Sequence, residues 1–448
     1  MRHSWGPLFI AGVLVCTAAP EALVLITGDQ HSAYERTAQL VATVDRLKAE
    51  NPGLPMAILL NGDTLEYGNV VARRSAGAVD FAMLAALARR VPTIVNLGNH
   101  EAEFYDLTET VRRLEETGVK VVGNITDHNT GRPYAPAAVR LQLGNAEALV
   151  AGIATDNLAT YRAAVRSALD LADPVVWARK NLPGLLVGVK LPIVLSHAGI
   201  KADREILPLV PAGTLFAGAH DHQRFIQQCG ESVYVHSGSW NEYLTLAWLH
   251  HDAAGASRWT VEQIMIPAAG PADPALAALI DATKKKYLTP DDTKVVGHIP
   301  VALGPSAAAL WALAALRDGA GVDAAFIGNT TFGGGLPAGE VTQVDFDACV
   351  RFDGTIYTAE VNGVRLRQLL AAANLGPGTP FAQRHGEFSF AAGPATIDPA
   401  KTYRIATTNW GAKNTARYYG EPAISWTERP ALKLKTLVQA ALAQAPAQ

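Results

Sequence analysis

Cysteine is nearly absent from this chain: three residues in 448, at positions 16, 229 and 349. The last two stand far apart, which excludes a disulfide framework and predicts two free thiols. Charge of one sign is lacking as well. The net charge is −3 and no basic block stands out, so nothing offers the positive surface that a nucleic acid polymer requires. Charged residues make up only 18% against 49% apolar, a balance that excludes a disordered chain and implies a large buried core. Internal repeats and low-complexity segments are missing. Beyond the N-terminus, no apolar run reaches membrane-spanning length without a charge or a breaker. At 448 residues the chain exceeds one typical core, so two domains are expected.

What is present begins with "MRHSWGPLFIAGVLVCTAAPEALVLITGD". Arg2 supplies a short positive region, Leu8 to Cys16 an apolar one, and "CTAAP" the small residues of a cleavage site. Residues 1–19 therefore read as a secretory signal peptide, with an uncleaved anchor as the alternative, and the mature chain is expected to be secreted or periplasmic. "VLVC" is a poor lipoprotein box, because Val15 precedes the cysteine.

Short apolar runs then alternate with stretches of helical periodicity. "ALVLIT" is followed by "AYERTAQLVATVDRLKAE", "MAILL" by "AVDFAMLAALARR", and "PTIVNL" by "DLTETVRRLEETG". From about residue 232 strands follow one another directly, in "SVYVHSGSW", "EYLTLAWLH" and "SRWTVEQIMI". The pattern is that of an α/β layered domain with an antiparallel addition, spanning residues 20–266. A Pro/Ala-rich segment with a short helix and a lysine run, residues 267–292, reads as a linker. Mixed α and β follow over 293–448.

The polar residues that end the apolar runs carry the chemistry. "ALVLIT" leads into Asp29 and His31, "MAILLNG" into Asp63, and "PTIVNLG" into Asn99 and His100. "LPIVLS" leads into His197, and "GTLFAGA" into His220 and His222. Taken alone, Asp29 is as readily a helix cap and His31 a surface histidine. Five such clusters at five strand ends make coincidence a poor account, since strand ends of α/β sheets converge on one crevice. In an extended segment residues i and i+2 point the same way, so D-x-H and H-x-H can each grip an ion. Imidazoles with carboxylates suit Zn, Mn, Fe or Co rather than Ca. A shared Asp63 could bridge two ions roughly 3.5–4 Å apart, the separation found in two-metal phosphoryl sites. Gly28, Gly62 and Gly98 are expected to let the backbone turn sharply. His236 is expected to be a hydrogen-bonded core histidine or a support for a ligand.

D-x-H, G-D, G-N-H-E, S-H and H-x-H, in that order, resemble the calcineurin-like metallophosphoesterase superfamily, and within it the secreted 5′-nucleotidase family. The resemblance covers nearly the whole chain. It implies a four-layer β-sandwich flanked by helices, followed by a helical linker and a smaller α/β substrate-binding domain. It also implies two divalent metal ions, one held by Asp29, His31, Asp63 and His222 and the other by Asp63, Asn99, His197 and His220. His100 resembles the transition-state stabiliser and proton donor. Family members often orient that histidine with an aspartate three residues on; here the position is Glu103, a carboxylate on a longer arm. Glu101, also in the motif, is expected to be a structural hydrogen-bond acceptor.

In the second domain "VRFDGTIYTAEVNGVRLRQLL" and "YRIATTNWGAK" resemble the segments that carry the family's base-stacking aromatics, which places Phe352 and Trp410 there. Filling the small domain's core is the alternative for both. The family's "N-x-G-G-x-R" arginine is missing from "GNTTFGGGLPAGEVT", and Arg351, Arg384, Lys413 and Arg417 are the cations that could replace it. The expected activity is hydrolysis of phosphate monoesters, foremost nucleoside 5′-monophosphates, by metal-activated water. A phosphodiesterase, a sugar phosphatase or a thiosulfohydrolase-like sulfur-ester hydrolase would use the same site. A binding protein on a retired scaffold is the alternative of a different class. The expected partner is a small phosphate ester.

Overall fold

The computed structural model describes residues 19–251, 256–420 and 423–444. Residues 1–18 of the expected signal peptide, Cys16 among them, lie outside the described residues. The strand Ala22–Thr27 is buried along its whole length, and the reason is a sandwich. Two six-stranded sheets face each other. The first runs Ser257–Met265, Tyr243–His251, Ala22–Thr27, Met56–Asn61, Thr93–Asn96, Lys120–Val122. The second runs Arg224–Cys229, Ser232–Ser237, Leu215–Gly218, Leu191–His197, Ala146–Ala154, Ala138–Leu143.

Alternate residues of each strand serve different layers. Val24, Ile26, Leu59 and Ile94 pack between the sheets against Val150, Ile193, Leu195 and Ala217. Leu23, Leu25, Ile58 and Leu60 instead meet Leu40, Val44, Leu84 and Leu114 of the outer helices. Burial on both faces is why these strands read as unbroken apolar runs rather than alternating ones. Helices cover the second sheet too, with Leu182 and Ile206 against Phe216. The outcome is the four-layer α/β architecture, with Tyr243–His251 pairing antiparallel to Ala22–Thr27 and Ser257–Met265 closing that side as the edge.

Ala22–Thr27, Met56–Asn61 and Thr93–Asn96 of the first sheet run parallel, as do the four inner strands of the second. Their C-terminal ends converge from two facing sheets, as the expected four-layer sandwich requires. Two asparagines at strand ends stitch the sheets together. Asn61 donates to the carbonyls of Ser196 (3.0 Å) and Ala217 (2.9 Å), and Asn96 donates to that of Ile153 (3.0 Å).

The helix Pro274–Tyr287 is no free tether. Its Leu276 and Ile280 join the first core, and its cap Asp273 meets Arg90 at 2.6 Å. The C-terminal α/β domain holds a five-stranded sheet, with the helices Pro305–Ala320 and Leu434–Gln444 on one face and Gly363–Ala372 on the other. Among the described residues no helix is long and apolar enough to cross a membrane. Cys229 and Cys349 are both free thiols.

Candidate metal centre

The backbone at the strand ends departs from the extended geometry expected there. Asp29, His31 and Asp63 have φ of 50°, 49° and 54°, and His220 and His222 have 79° and 53°. Left-handed conformations are uncommon for such residues and gather at functional sites. D-x-H and H-x-H therefore act as tight turns, not as extended pairs. Main-chain bonds hold the first turn: Asp29 N–H donates to Gly62 O (3.0 Å) and His31 N–H to Asp63 O (2.9 Å). Of the three glycines, only Gly62 adopts positive φ. Gly98 is required for close approach instead, because a Cβ there would lie 2.4 Å from Asp63 Oδ1.

These turns gather the titratable groups. Asp29, His31 and His222 offer atoms within 4.8 Å of one another, as do Asp63, His197 and His220. Asp63 Oδ2 lies 3.1 Å from His197 Nε2 and 4.0 Å from His31 Nε2. Asp29 Oδ1 stands 3.8 Å from His197 and 3.9 Å from His222. Asn99 lines the same cavity, and its buried Oδ1 has no hydrogen-bond partner among the described residues.

The cluster is electrostatically uneven. Burial raises the Asp29 carboxyl well above the usual range, an effect the charge of Asp63 adds to. Burial acts on Asp63 as well, but the imidazoles of His197 and His100 outweigh it and hold that carboxyl well below the usual range. His197, buried yet flanked by Asp63 and Asp29, is raised to about 10. Burial pushes His220 down to about 4 and lowers His31 and His222. The Nε2 atoms of His31 and His222 then face each other at 2.9 Å, in a place where neither ring readily takes a proton. Two buried carboxylates, four converging imidazoles and an orphaned amide oxygen fit borderline divalent cations.

His100 stands at the edge of this cluster. Its Nδ1 is 3.0 Å from Glu103 Oε1 and 3.6 Å from Glu66 Oε2. Burial alone would lower this imidazole, but Asp63, Glu66 and Glu103 together raise it well above its usual value. Glu101 accepts main-chain N–H groups from Gly98 (2.6 Å), Asp63 (3.0 Å) and Thr64 (2.7 Å) and so ties two strand-end loops together. His236 is buried with its Nε2 2.7 Å from Tyr234 Oη.

A cavity of about 630 Å³ joins the cluster to the C-terminal domain. Phe352 and Trp410 both line it. They are 52% and 40% exposed, so neither fills the small domain's core. Of the four candidate cations, Arg351 lines this cavity. Arg417 pairs with Glu387 at 2.8 Å. Arg384 is committed to Gln223 and to the carbonyls of Gly376 and Pro377, and Lys413 is exposed.

Sequence reasoning missed Glu66 and Trp240. Glu66 Oε2 lies 3.1 Å from His31 Nδ1, and the Trp240 ring stacks on that imidazole with centroids 4.9 Å apart. Glu66 stands three residues after Asp63 in "GDTLE", a carboxylate one short loop from a candidate ligand, which is the only signal available for it.

Residues 22–224 match the family model of the calcineurin-like phosphoesterases, and residues 295–396 match that of the 5′-nucleotidase C-terminal domain. Among curated proteins no sequence matches the chain. Similar solved structures include a 5′-nucleotidase precursor from Thermus thermophilus, 17% identical, covering 94% of this chain and 96% of that one with a TM-score of 0.60. Thermus thermophilus sulfate thiohydrolase SoxB, in complex with glycerol, is 14% identical over 98% of this chain and 96% of its own, with a TM-score of 0.63. The 5′-nucleotidase of Candida albicans SC5314 is 14% identical over 95% and 98%, with a TM-score of 0.59. At these identities the likeness is one of fold.

Proposed function

We propose that this chain, a metal-dependent phosphoesterase of the calcineurin-like family with a 5′-nucleotidase C-terminal domain, hydrolyses nucleoside 5′-monophosphates or related nucleotides at a two-metal centre. One observation carries the reading: the carboxylate–imidazole cluster and two exposed aromatic rings of the other domain line one cavity. We take Asp29, His31, Asp63 and His222 to hold one ion, and Asp63, Asn99, His197 and His220 the other. Such ions would supply a polarised phosphoryl group and a nucleophilic water at neutral pH.

The protein's own residues do the rest. His100 carries a proton at the cavity edge and gives it to the leaving oxygen. Glu103 holds the His100 ring in that orientation at 3.0 Å. Phe352 and Trp410 receive the planar part of the ester, where stacking contributes roughly 1–3 kcal/mol per base. Glu101 keeps the loops of Asp63 and His100 in register through its three accepted N–H bonds. The domains are taken as 20–266 and 293–448 with the segment 267–292 between them, and the mature chain as secreted or periplasmic after loss of residues 1–19.

A second reading has a specific motive. The arginine expected to meet a nucleotide's charge is missing, and SoxB shares the fold. A sulfur-ester hydrolase would use the same centre. A substrate screen on metal-loaded protein separates the two: nucleoside monophosphates, cyclic nucleotides, sugar phosphates and an S-sulfonated thiol (R–S–SO3⁻, which water cleaves to the thiol and sulfate), with phosphate and sulfate release both measured. Phosphate release fastest from nucleoside monophosphates supports the first reading. Sulfate release alone overturns it in favour of the second.

A further inference from the structure

We infer that Arg351, carried by the C-terminal domain, completes the metal centre of the catalytic domain by holding both supports of the His31 ring. The inference rests on the proposed function only in taking His31 as a metal ligand.

The geometry is direct. Arg351 Nη2 lies 3.0 Å from Glu66 Oε1, and the two side chains are 3% and 5% exposed. The other oxygen of the same carboxylate, Oε2, is 3.1 Å from His31 Nδ1. The Arg351 guanidinium also lies over Trp240, 4.8 Å from the ring centroid. Trp240 in turn stacks on His31, its plane inclined by 27°. Arg351 thus touches the group that binds the edge of the imidazole and the ring that covers its face. With Nδ1 engaged by Glu66, Nε2 is the nitrogen left for a cation, and partners of this kind fix the orientation and basicity of a metal-binding histidine.

The protein makes room for this arginine on both sides of the domain boundary. A Cβ on Gly68, in the catalytic domain, would lie 2.5 Å from Arg351 Nη2 and 2.9 Å from Glu66 Oε1. A Cβ on Gly333, in the other domain, would lie 2.9 Å from Arg351 Cδ. The Arg351 main chain is fixed as well, donating to Thr331 O at 3.0 Å. An incidental surface ion pair needs no such slot.

Arg351 is a positioning residue, and the test reads metal binding apart from turnover. Full-length wild type, Arg351→Met, Arg351→Lys, Glu66→Gln, Gly68→Ala and the double variant Arg351→Met/Glu66→Gln are titrated with Mn²⁺ by equilibrium dialysis, without substrate. Kinetics on an aryl phosphate at saturating Mn²⁺ follow. Losing the outer partner of a ligand typically costs 10–100-fold in metal affinity. Arg351→Met should therefore weaken one of the two sites, the one that includes His31, by about 10-fold or more, with KM unchanged. Gly68→Ala should act in the same direction by displacing the guanidinium, and Arg351→Lys should recover part of the loss. In the Glu66→Gln background, Arg351→Met should add at most about twofold, because residues acting through one another are not additive. The double variant removes both charges and so keeps the test open should Arg351→Met fail to fold. Unchanged Mn²⁺ affinity with a raised KM would make Arg351 a substrate contact and overturn the inference. Fully additive losses would overturn it too, as would failure of every variant to fold. A wild type that binds Mn²⁺ yet hydrolyses no phosphate ester would instead overturn the proposed function and leave this readout intact.

Discussion

Asp63 Oδ1 accepts the main-chain N–H of His100 at 2.8 Å. The other oxygen of that carboxylate faces His197 Nε2 at 3.1 Å. One side chain therefore anchors the loop of the proposed proton donor and occupies the middle of the proposed metal centre. Glu101 secures the same junction from behind, through the N–H groups of Gly98, Asp63 and Thr64. The position of His100 and the position of the cluster are thus one structural variable.

Asp63→Ala should remove the proposed bridge and release the His100 loop together. The expected outcome is loss of activity and fewer than two ions per chain by metal analysis. Asp63→Asn, which keeps an acceptor for the His100 N–H, should hold the loop but still lose metal. Near-normal turnover with two bound ions in either variant would sink the bridging assignment.

Glu103→Gln tests the partner of His100, 3.0 Å away. If the carboxylate orients and charges the imidazole, kcat should fall while metal content stays constant. General acid–base groups contribute about 10²–10⁴-fold, and an orienting partner should cost no more than that. A pH–rate profile identical to wild type would leave His100 without this partner.

Trp410 is exposed at the cavity, with its indole Nε1 bonded to Tyr418 Oη at 3.2 Å. Stacking remote from phosphorus stabilises ground state and transition state alike, so Trp410→Ala should raise KM with little change in kcat. A loss of roughly 1–3 kcal/mol corresponds to about 5–150-fold. The effect should be present for a nucleoside monophosphate and absent for ribose 5-phosphate. Equal kcat/KM for the two substrates, unmoved by the substitution, would remove the nucleotide from the assignment.

Asp80 gives a stability test away from the cavity. It is buried beneath the helix Tyr34–Glu50 and accepts the Tyr34 hydroxyl at 2.7 Å. Burial raises its carboxyl to about 7, against the hydrogen bond from Tyr34 that lowers it. The folded chain therefore keeps a proton that the unfolded chain releases near 3.8, and stability falls as pH rises between these values. A shift of this size amounts to about 4 kcal/mol at most, lost in full above pH 7. Asp80→Asn keeps an acceptor for Tyr34 and cannot ionise, so its Tm should fall less than that of wild type between pH 5 and pH 8. Identical falls in both proteins would mean that Asp80 is ionised in the folded state.

The alternation of apolar runs with helical periodicity, and the polar residues that close those runs, stand in the sequence itself. From them follow the layered α/β fold and the cluster of Asp29, His31, Asp63, Asn99, His100, His197, His220 and His222. Both are legible because burial on two faces writes a local pattern, and metal-type residues at strand ends are local too. The backbone within the turns was not legible. At positive φ, Asp29 and His31 are bonded through their main chains to Gly62 and Asp63 of the neighbouring loop, His220 donates its N–H to the Asp29 carboxylate, and Gly98 answers to the approach of Asp63 from another strand. Glu66 and Trp240 carry no motif, Arg351 was visible only as a cation for substrate, and the meeting of the three around His31 exists only once the two domains are packed together. Local residue pattern determines which groups end a strand. Which distant groups then surround them depends on packing between elements far apart in the chain, and only the tertiary structure decides that.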